Sequence, residues 1–567
     1  DAKMVAQRGA ILGRTFSQDL LKAVFESEAR DEDERTASWL RAERSLDQLV
    51  DAGVLRQVRT APTIYEFKHA LIQGAAYQSL LKRARQAHHL QTARVLENNF
   101  MHVAETQPEL LARHYTEALQ FDRAFDYWQR AGEHARDRSA NKEAVHHVVQ
   151  GLKILEFLPE SEQRDRRELA LRIASFTPVI AVEGYAAEAT ARTAERALAL
   201  CRKLGDVGKL FPVLYTLWAN RIVSGRYQDA LQLTEEFFSE ASLQNDSAPL
   251  LMSHRLRGIS LTMVGRLWVA EGHLRESISL YDPQKHAELK NVGYGQDPRS
   301  SCEAFMSLVR WLRGYSEEAA VWSRSSIEHA EQARHTNTLG YVLNFGAATF
   351  AAFRRDIHRT AQHASRLITF AEKEGLPVWL AYARVLYGWT LAHTGQVAAG
   401  INGIKAGLVD FEDALSTTAS TSLHQGFMKT FLLSLQSDAY SIAGRPEDGL
   451  AVLDEAWAFA ELTGEAIWKA ELQRLKGEMT LEAGIRSSRT AFREAEECFL
   501  RAREIASSQD AKALELRAAI SLNRLWRASR PLEARQVLVG VYNGFTEGFD
   551  SPDLVLARRL LEDVVPT

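Results

Sequence analysis

Cysteine is scarce in this chain, with three residues in 567, at positions 201, 302 and 498. Their odd number and wide spacing exclude a disulfide framework or a zinc cluster and read as reduced core thiols of a cytoplasmic protein. Long hydrophobic runs are also missing. No stretch approaches the ~18 uncharged apolar residues that span a bilayer, and the opening residues carry no signal-peptide pattern. Neither sign of charge is in excess: 69 Lys and Arg stand against 73 Asp and Glu, for a net charge of −4. Global attraction to nucleic acid or to an anionic membrane is therefore not expected.

Catalytic signatures are equally thin. There is no GxxxxGK[ST] loop, and the nearest glycine pair, Gly293/Gly295, runs into Asp-Pro instead of a helix. The chain cannot bind a nucleotide by that route alone. None of the 17 histidines forms an HExxH pair, and His88/His89 and His146/His147 are adjacent, so each pair points to two faces of a helix. No nucleophile is marked by its neighbours. The chain reads as no enzyme in itself, with no metal and no cofactor of its own.

What is present is a phrase that recurs. A glycine or its stand-in is followed five residues later by Ala or Gly, and seven further on by another small or apolar residue. It reads Leu119/Ala124/Ala131, Gly225/Ala230/Phe237, Gly265/Ala270/Ser277, Gly314/Ala319/Ser326, Gly395/Gly400/Gly407 and Gly444/Gly449/Ala456, closing with Ala495/Ala502 and Ala534. Glycine permits a sharp turn between two antiparallel helices, and small residues let the second helix approach the first. Marker positions 230, 270, 319, 361, 400, 449, 495 and 534 lie 39 to 49 residues apart. That spacing exceeds the 34 of the regular tetratricopeptide and gives a tetratricopeptide-like array with lengthened helices and loops. The predicted fold is all-α, an α-α superhelix, with the stretch 158–203 fitting the repeat poorly.

Residues 1–100 differ. Helical segments Val5–Ala10, Ser17–Phe25 and Thr36–Asp51 precede a strand (Val54–Arg59), a Thr-Ala-Pro-Thr corner and a second strand (Ile64–Lys68), the order of a winged helix. Residues 101–548 form the repeats, punctuated by proline loops at Tyr281–Pro283 and Tyr294–Pro298. Residues 549–567 form a capping helix with Ser551 as N-cap and Pro552 in its first turn. The chain opens in mid-helix without a methionine and reads as part of a longer polypeptide.

Three sets of side chains carry candidate functions. Ten of eleven tryptophans fall between Trp128 and Trp526. They read first as packing between helices, and otherwise as anchors in a ligand groove, with Trp311, Trp322 and Trp389 as the candidates. Lys82, Arg83 and Arg85 could meet phosphates, or form a solvated face. His69 stands between the second wing strand and the helix that follows, where it could cap that helix or pack in the wing.

The phrases "AKMVAQRGAILGRTFS", "YEFKHALIQGAAYQSLL", "QPELLARHYTEA", "YWQRAGEHARDRSANKEAVHH" and "NGFTEGFDSPDL" resemble the C-terminal half of bacterial signalling ATPases of the STAND class with tetratricopeptide repeats. These proteins often carry an N-terminal class III adenylate/guanylate cyclase domain. The resemblance implies a layout of cyclase, AAA-type ATPase, winged helix and repeats, of which this chain holds the last two. It implies that a protein or small-molecule ligand bound by the repeats controls the ATPase and cyclase, with ATP and ADP as cofactors of the parent protein alone. It also implies a nucleotide-sensing role for His69, because Phe67-Lys68-His69-Ala70-Leu71 resembles by position the Met-His-Asp motif of plant resistance proteins, with Ala70 where an acid often follows. Partners are then a protein or peptide in the repeat groove and the chain's own ATPase, with no membrane. The alternative is an ATP-dependent transcription regulator whose winged helix binds DNA.

Overall fold

A computed structural model describes the chain except for residues 59–61, 245, 292–294, 416–425, 485–488 and 563–567. Two compact units result, Asp1–Val182 and Glu183–Thr567. The division falls inside the stretch 158–203, where three helices of unequal length (Glu162–Ala174, Phe176–Glu183 and Glu188–Leu204) interrupt the hairpin rhythm.

The first unit opens with helix α1 (Ala2–Leu12), strand β1 (Thr15–Ser17), helices α2 (Gln18–Glu26) and α3 (Glu32–Asp51), strands β2 (Leu55–Val58) and β3 (Ile64–Phe67), and helices α4 (Ala70–Gln78) and α5 (Lys82–Asn99). Capping follows the sequence: Ser17 accepts from the Leu20 amide at the start of α2, and Asp31 from the Glu34 amide at the start of α3. The strands form one antiparallel sheet in the order β1-β3-β2, with Phe16 opposite Tyr65 and Leu55 opposite Phe67. Strand β1 is a third strand beyond the two read from sequence. Arg59 and part of the Thr-Ala-Pro-Thr corner lie outside the described residues. Val5, Leu21, Leu46, Leu55 and Phe67 form the centre of the core. A Cβ at Gly9 would stand 2.7 Å from the Phe16 ring, so only glycine lets α1 lie this close to β1.

The unit does not stop at residue 100. Leu96 of α5 shares a core with Leu111, Trp128, Ile154 and Leu171, which belong to the helices that follow. Here Ser139/Ala144/Gly151 repeats the phrase with serine in the turn, at φ 59°.

In the second unit successive helices pair as hairpins, from Val207–Val223 with Tyr227–Ser242 to Lys512–Trp526 with Pro531–Tyr542, and Pro552–Glu562 closes the array. The turn glycines of the phrase (Gly225, Gly265, Gly314, Gly395, Gly444) have φ between 66° and 93°, the left-handed region where a Cβ is costly. The marker at 361 is one residue out of register. Arg355 holds the turn at φ 55°, and Thr360 is the buried small residue behind it. Gly400 has a different duty: a Cβ there would come within 2.6 Å of the backbone of Gly388 and Ala392.

The array winds back on itself. The Ala466 amide donates to the Met263 carbonyl at 2.8 Å and the Gly426 amide to that of Val223 at 3.2 Å. Arg313 pairs with Asp510 at 2.7 Å. Between the turns lies a buried charge cluster. Glu471 accepts from Arg474 at 2.9 and 3.0 Å and from Arg355 at 3.1 Å, and these guanidiniums hold its carboxyl well below the usual range. Arg517 donates to the Phe353 carbonyl at 2.6 Å and to Asp553 at 2.8 Å, tying the closing helix to this cluster. Among the described residues no helix is long and apolar enough to cross a membrane.

Candidate functional site

The second unit contains a cavity of about 190 Å³ walled almost entirely by hydrocarbon and aromatic rings. Its side chains arrive four residues apart on the first helices of several hairpins. Trp218 and Ile222 come from Val207–Val223, Arg255 and Ile259 from Ser247–Met263, and Asn337, Tyr341 and Phe345 from the helical run beginning at Thr336. A spacing of four places such residues on one face of a helix. Trp379 completes the wall from the start of helix Pro377–His393.

Around Phe345 the backbone widens into a π-helix, Leu343–Thr349. Such insertions shift the facing of side chains and recur at functional sites. The Phe345 ring meets Tyr341 at 4.8 Å and Trp379 at 5.8 Å between centroids, both edge to face.

The polar groups in the wall are few and held. Arg255, 1% exposed, donates from Nη2 to Gln296 Oε1 at 2.5 Å. Trp379 Nε1 donates to Asn337 Oδ1 at 2.9 Å, and Asn337 Nδ2 donates to the Gly295 carbonyl at 2.8 Å. Trp218 Nε1 donates to Ser260 Oγ at 2.9 Å. Burial pushes the phenols of Tyr185, Tyr215 and Tyr341 up, so all three keep their protons at neutral pH.

The candidates read from sequence lie elsewhere. Trp311 and Trp389 are 4% and 2% exposed, which corrects their placement in an open groove. Trp311 packs on Phe353, with Arg517 over its ring at 4.9 Å, and Trp389 Nε1 donates to Asp438 at 2.8 Å. Trp322 is half-buried on helix Ser316–Ala333 and takes no part in this cavity. Trp311 and Trp389 fill space between helices because the array is wound closely enough to bury them. His69 is exposed at the N-terminus of α4, where its side chain makes no capping hydrogen bond. Lys82 and Arg83 are exposed at the start of α5, and Arg85 lies over the Tyr77 ring at 5.2 Å.

Sequence reading missed Trp218, Arg255, Tyr341 and Trp379. The available signal was Arg255, set among Leu251, Met252, Leu256 and Ile259, but its helix also carries His254 and Arg257, which hide it. His89 was read only as one of an adjacent pair. It meets His114 through their Nδ1 atoms at 2.8 Å, and both rings are buried. Among the described residues no group of three or more His, Cys, Asp or Glu is placed to hold a metal ion. Cys201 and Cys302 are buried, and burial pushes their thiols up to about 11 and about 12.

No family model matches the chain. An uncharacterized protein of Rhizobium meliloti (strain 1021) is 24% identical over 532 residues, covering 92% of this chain and 49% of the relative. The chain thus spans about half the length of the curated relative it matches. Among solved structures, a Rap protein complexed with competence and sporulation factor is 11% identical, with a TM-score of 0.45 over 69% of this chain and 98% of that one. The apo form of RapI is 13% identical, with a TM-score of 0.41 over 51% of this chain and 97% of that one. A STAND protein with a tetratricopeptide repeat sensor from Pyrococcus horikoshii is 12% identical, with a TM-score of 0.35 over 90% of this chain and 65% of that one.

Proposed function

We propose that this chain is the sensing region of a cytoplasmic bacterial signalling ATPase of the STAND class. Its helical repeats take up a ligand or partner and thereby bias a linked ATPase and nucleotidyl cyclase. The observation that carries the reading is the apolar cavity, which draws its wall from several hairpins of the second unit. A ligand that fits only one arrangement of those hairpins shifts the balance between arrangements by its difference in affinity for them. The curated relative is about twice as long as this chain's match to it, which leaves that relative room for further domains.

In this reading residues 1–100 are a winged helix, supported by the helix–strand–helix–helix–strand–strand order of α1 to β3. His69, exposed at the end of β3, senses ADP or ATP held by an attached ATPase domain. Two measurements on the longer polypeptide test the reading. Ile259→Trp, which fills the cavity, should change the rate of ATP hydrolysis, and His69→Ala should speed ADP release. If hydrolysis ignores the first variant, the sensing role is wrong; if ADP retention ignores the second, His69 is not the nucleotide sensor.

The same element order supports a second reading, a transcription regulator bound to DNA through the wing. Charge weighs against it: α3, the helix before the wing strands, carries six acidic residues against three basic ones, and a phosphate backbone repels that face. A gel shift at low salt separates the two. Tight, sequence-selective binding would establish the regulator.

A further inference from the structure

The cavity has a chemical bias that the sensing role alone does not specify. Resting on the reading just given, we infer that it binds a small uncharged aromatic, held by shape and ring contact against Trp218, Phe345 and Trp379.

Size comes first. A dry cavity of ~150 Å³ lined by apolar side chains holds a benzene ring, so about 190 Å³ has room for one ring with a short substituent, or for a fused pair. The cavity is smaller than the roughly 300–1,000 Å³ of drug-sized sites, and a peptide would not fit within it. Shape agrees, because the ring pairs Tyr341–Phe345, Phe345–Trp379 and Tyr215–Trp218 present flat and edge-on aromatic surface together. A way in exists: Pro377 lines the cavity and is itself exposed, so the cavity meets solvent where the chain enters helix Pro377–His393.

The polar groups of the wall decide the charge of the guest, because they are already engaged with one another. Arg255 is 1% exposed, and its guanidinium is taken up by Gln296 and Tyr215. Opposite charge already stands near it: the Cys302 thiol feels Arg255 together with the buried carboxylates of Asp297 and Glu303. The Trp218 indole N–H is spent on Ser260, that of Trp379 on Asn337, and the Asn337 amide on the Gly295 carbonyl. Tyr185 and Tyr341 keep their protons, and a neutral hydroxyl does not balance a whole charge. An ion of either sign would shed its water here without replacement. A neutral ring loses little hydration and gains the aromatic contacts.

The test is titration of the intact chain at pH 7.5, followed by ligand-observed NMR, with toluene, benzoate and benzylammonium. These guests have similar size and carry no charge, a negative charge and a positive charge; indole serves as a larger neutral ring. Toluene or indole should bind about tenfold or more tightly than either ion. Val378→Trp, which intrudes on the wall from a half-buried position, should block that binding. Trp268→Ala removes an indole that is 70% exposed and outside the cavity, and should leave it unchanged. No binding of either neutral ring, an ion bound as tightly as the neutral rings, binding that survives in Val378→Trp, or binding lost in Trp268→Ala overturns the inference. The wild-type comparison decides even if Val378→Trp does not fold. If the preference for neutral rings fails while Ile259→Trp still alters ATP hydrolysis in the longer polypeptide, the sensing role stands and only the ligand class is wrong. Selective binding with unresponsive hydrolysis means the converse.

Discussion

Tyr227 and Glu465 meet at 2.9 Å across 238 residues of sequence. The Tyr227 hydroxyl has one proton and two acceptors in reach, since the Gly426 carbonyl stands at 3.0 Å. A protonated Glu465 resolves the conflict: its O–H donates to Tyr227, which donates to Gly426. Burial pushes the Glu465 carboxyl up to about 7, against 4.5 for a free glutamate. Between those two pH values the folded chain holds a proton that the unfolded chain has lost, so stability falls as pH rises from about 4.5 to about 7. The loss is on the order of 3 kcal/mol. Glu465→Gln should remove this slope. Urea unfolding at pH 5 and pH 8 should show the variant gaining on wild type at the higher pH, and parallel behaviour would place the charge elsewhere.

The His89–His114 pair works in the opposite direction. Burial brings the two rings down to about 4 and about 3, from 6.5. As pH falls below 6.5 the unfolded chain takes up protons that the folded pair refuses, so stability drops between about pH 6.5 and 4. With Nδ1 facing Nδ1, one ring donates and the other accepts, and both are neutral. Circular dichroism of urea unfolding should show the first unit weakening at pH 5 relative to pH 7, and His114→Leu should reduce that difference.

Glycines with different duties should respond differently to alanine. Gly400→Ala drives a Cβ into backbone at 2.6 Å and should cost at least about 2 kcal/mol. Gly395→Ala has open space but a φ of 91°, and should cost about 1 kcal/mol. Gly540→Ala sits exposed in a helix with nothing within 4 Å and should stabilise by about 0.5–1 kcal/mol. Thermal unfolding ranks the three, and any other order would contradict the packing described.

The tryptophans divide the same way. Trp311→Ala removes a ring that is 4% exposed and should cost about 3–5 kcal/mol. Trp379→Ala, half-buried on the cavity wall, should cost less stability. Equal losses in thermal unfolding would mean that the cavity wall is merely core.

The repeat was legible because its turn glycines and buried alanines are one-dimensional features. It faltered where another residue took the turn. Arg355 and Ser139 accept left-handed geometry without announcing it, which displaced the marker from Thr360 to Ala361. Strand β1 escaped because three residues cannot show a period of two. The cavity was harder still. Its wall gathers Trp218, Arg255, Tyr341 and Trp379 from helices far apart in sequence, and a tryptophan in the core has the same local pattern as one facing a void. Which ring faces space depends on how the hairpins wind, and no single hairpin encodes that.

The Met263–Ala466 bond has a kinetic consequence. In an ordinary solenoid each unit touches only its neighbours, so ends fray and folding spreads from wherever it starts. Here the turn of one hairpin is fastened to a loop some 200 residues later, so the second unit completes its structure only after a long loop has closed. Its folding should be slower than its helical content suggests, and its unfolding should be a single cooperative event instead of a sequential peeling from either end.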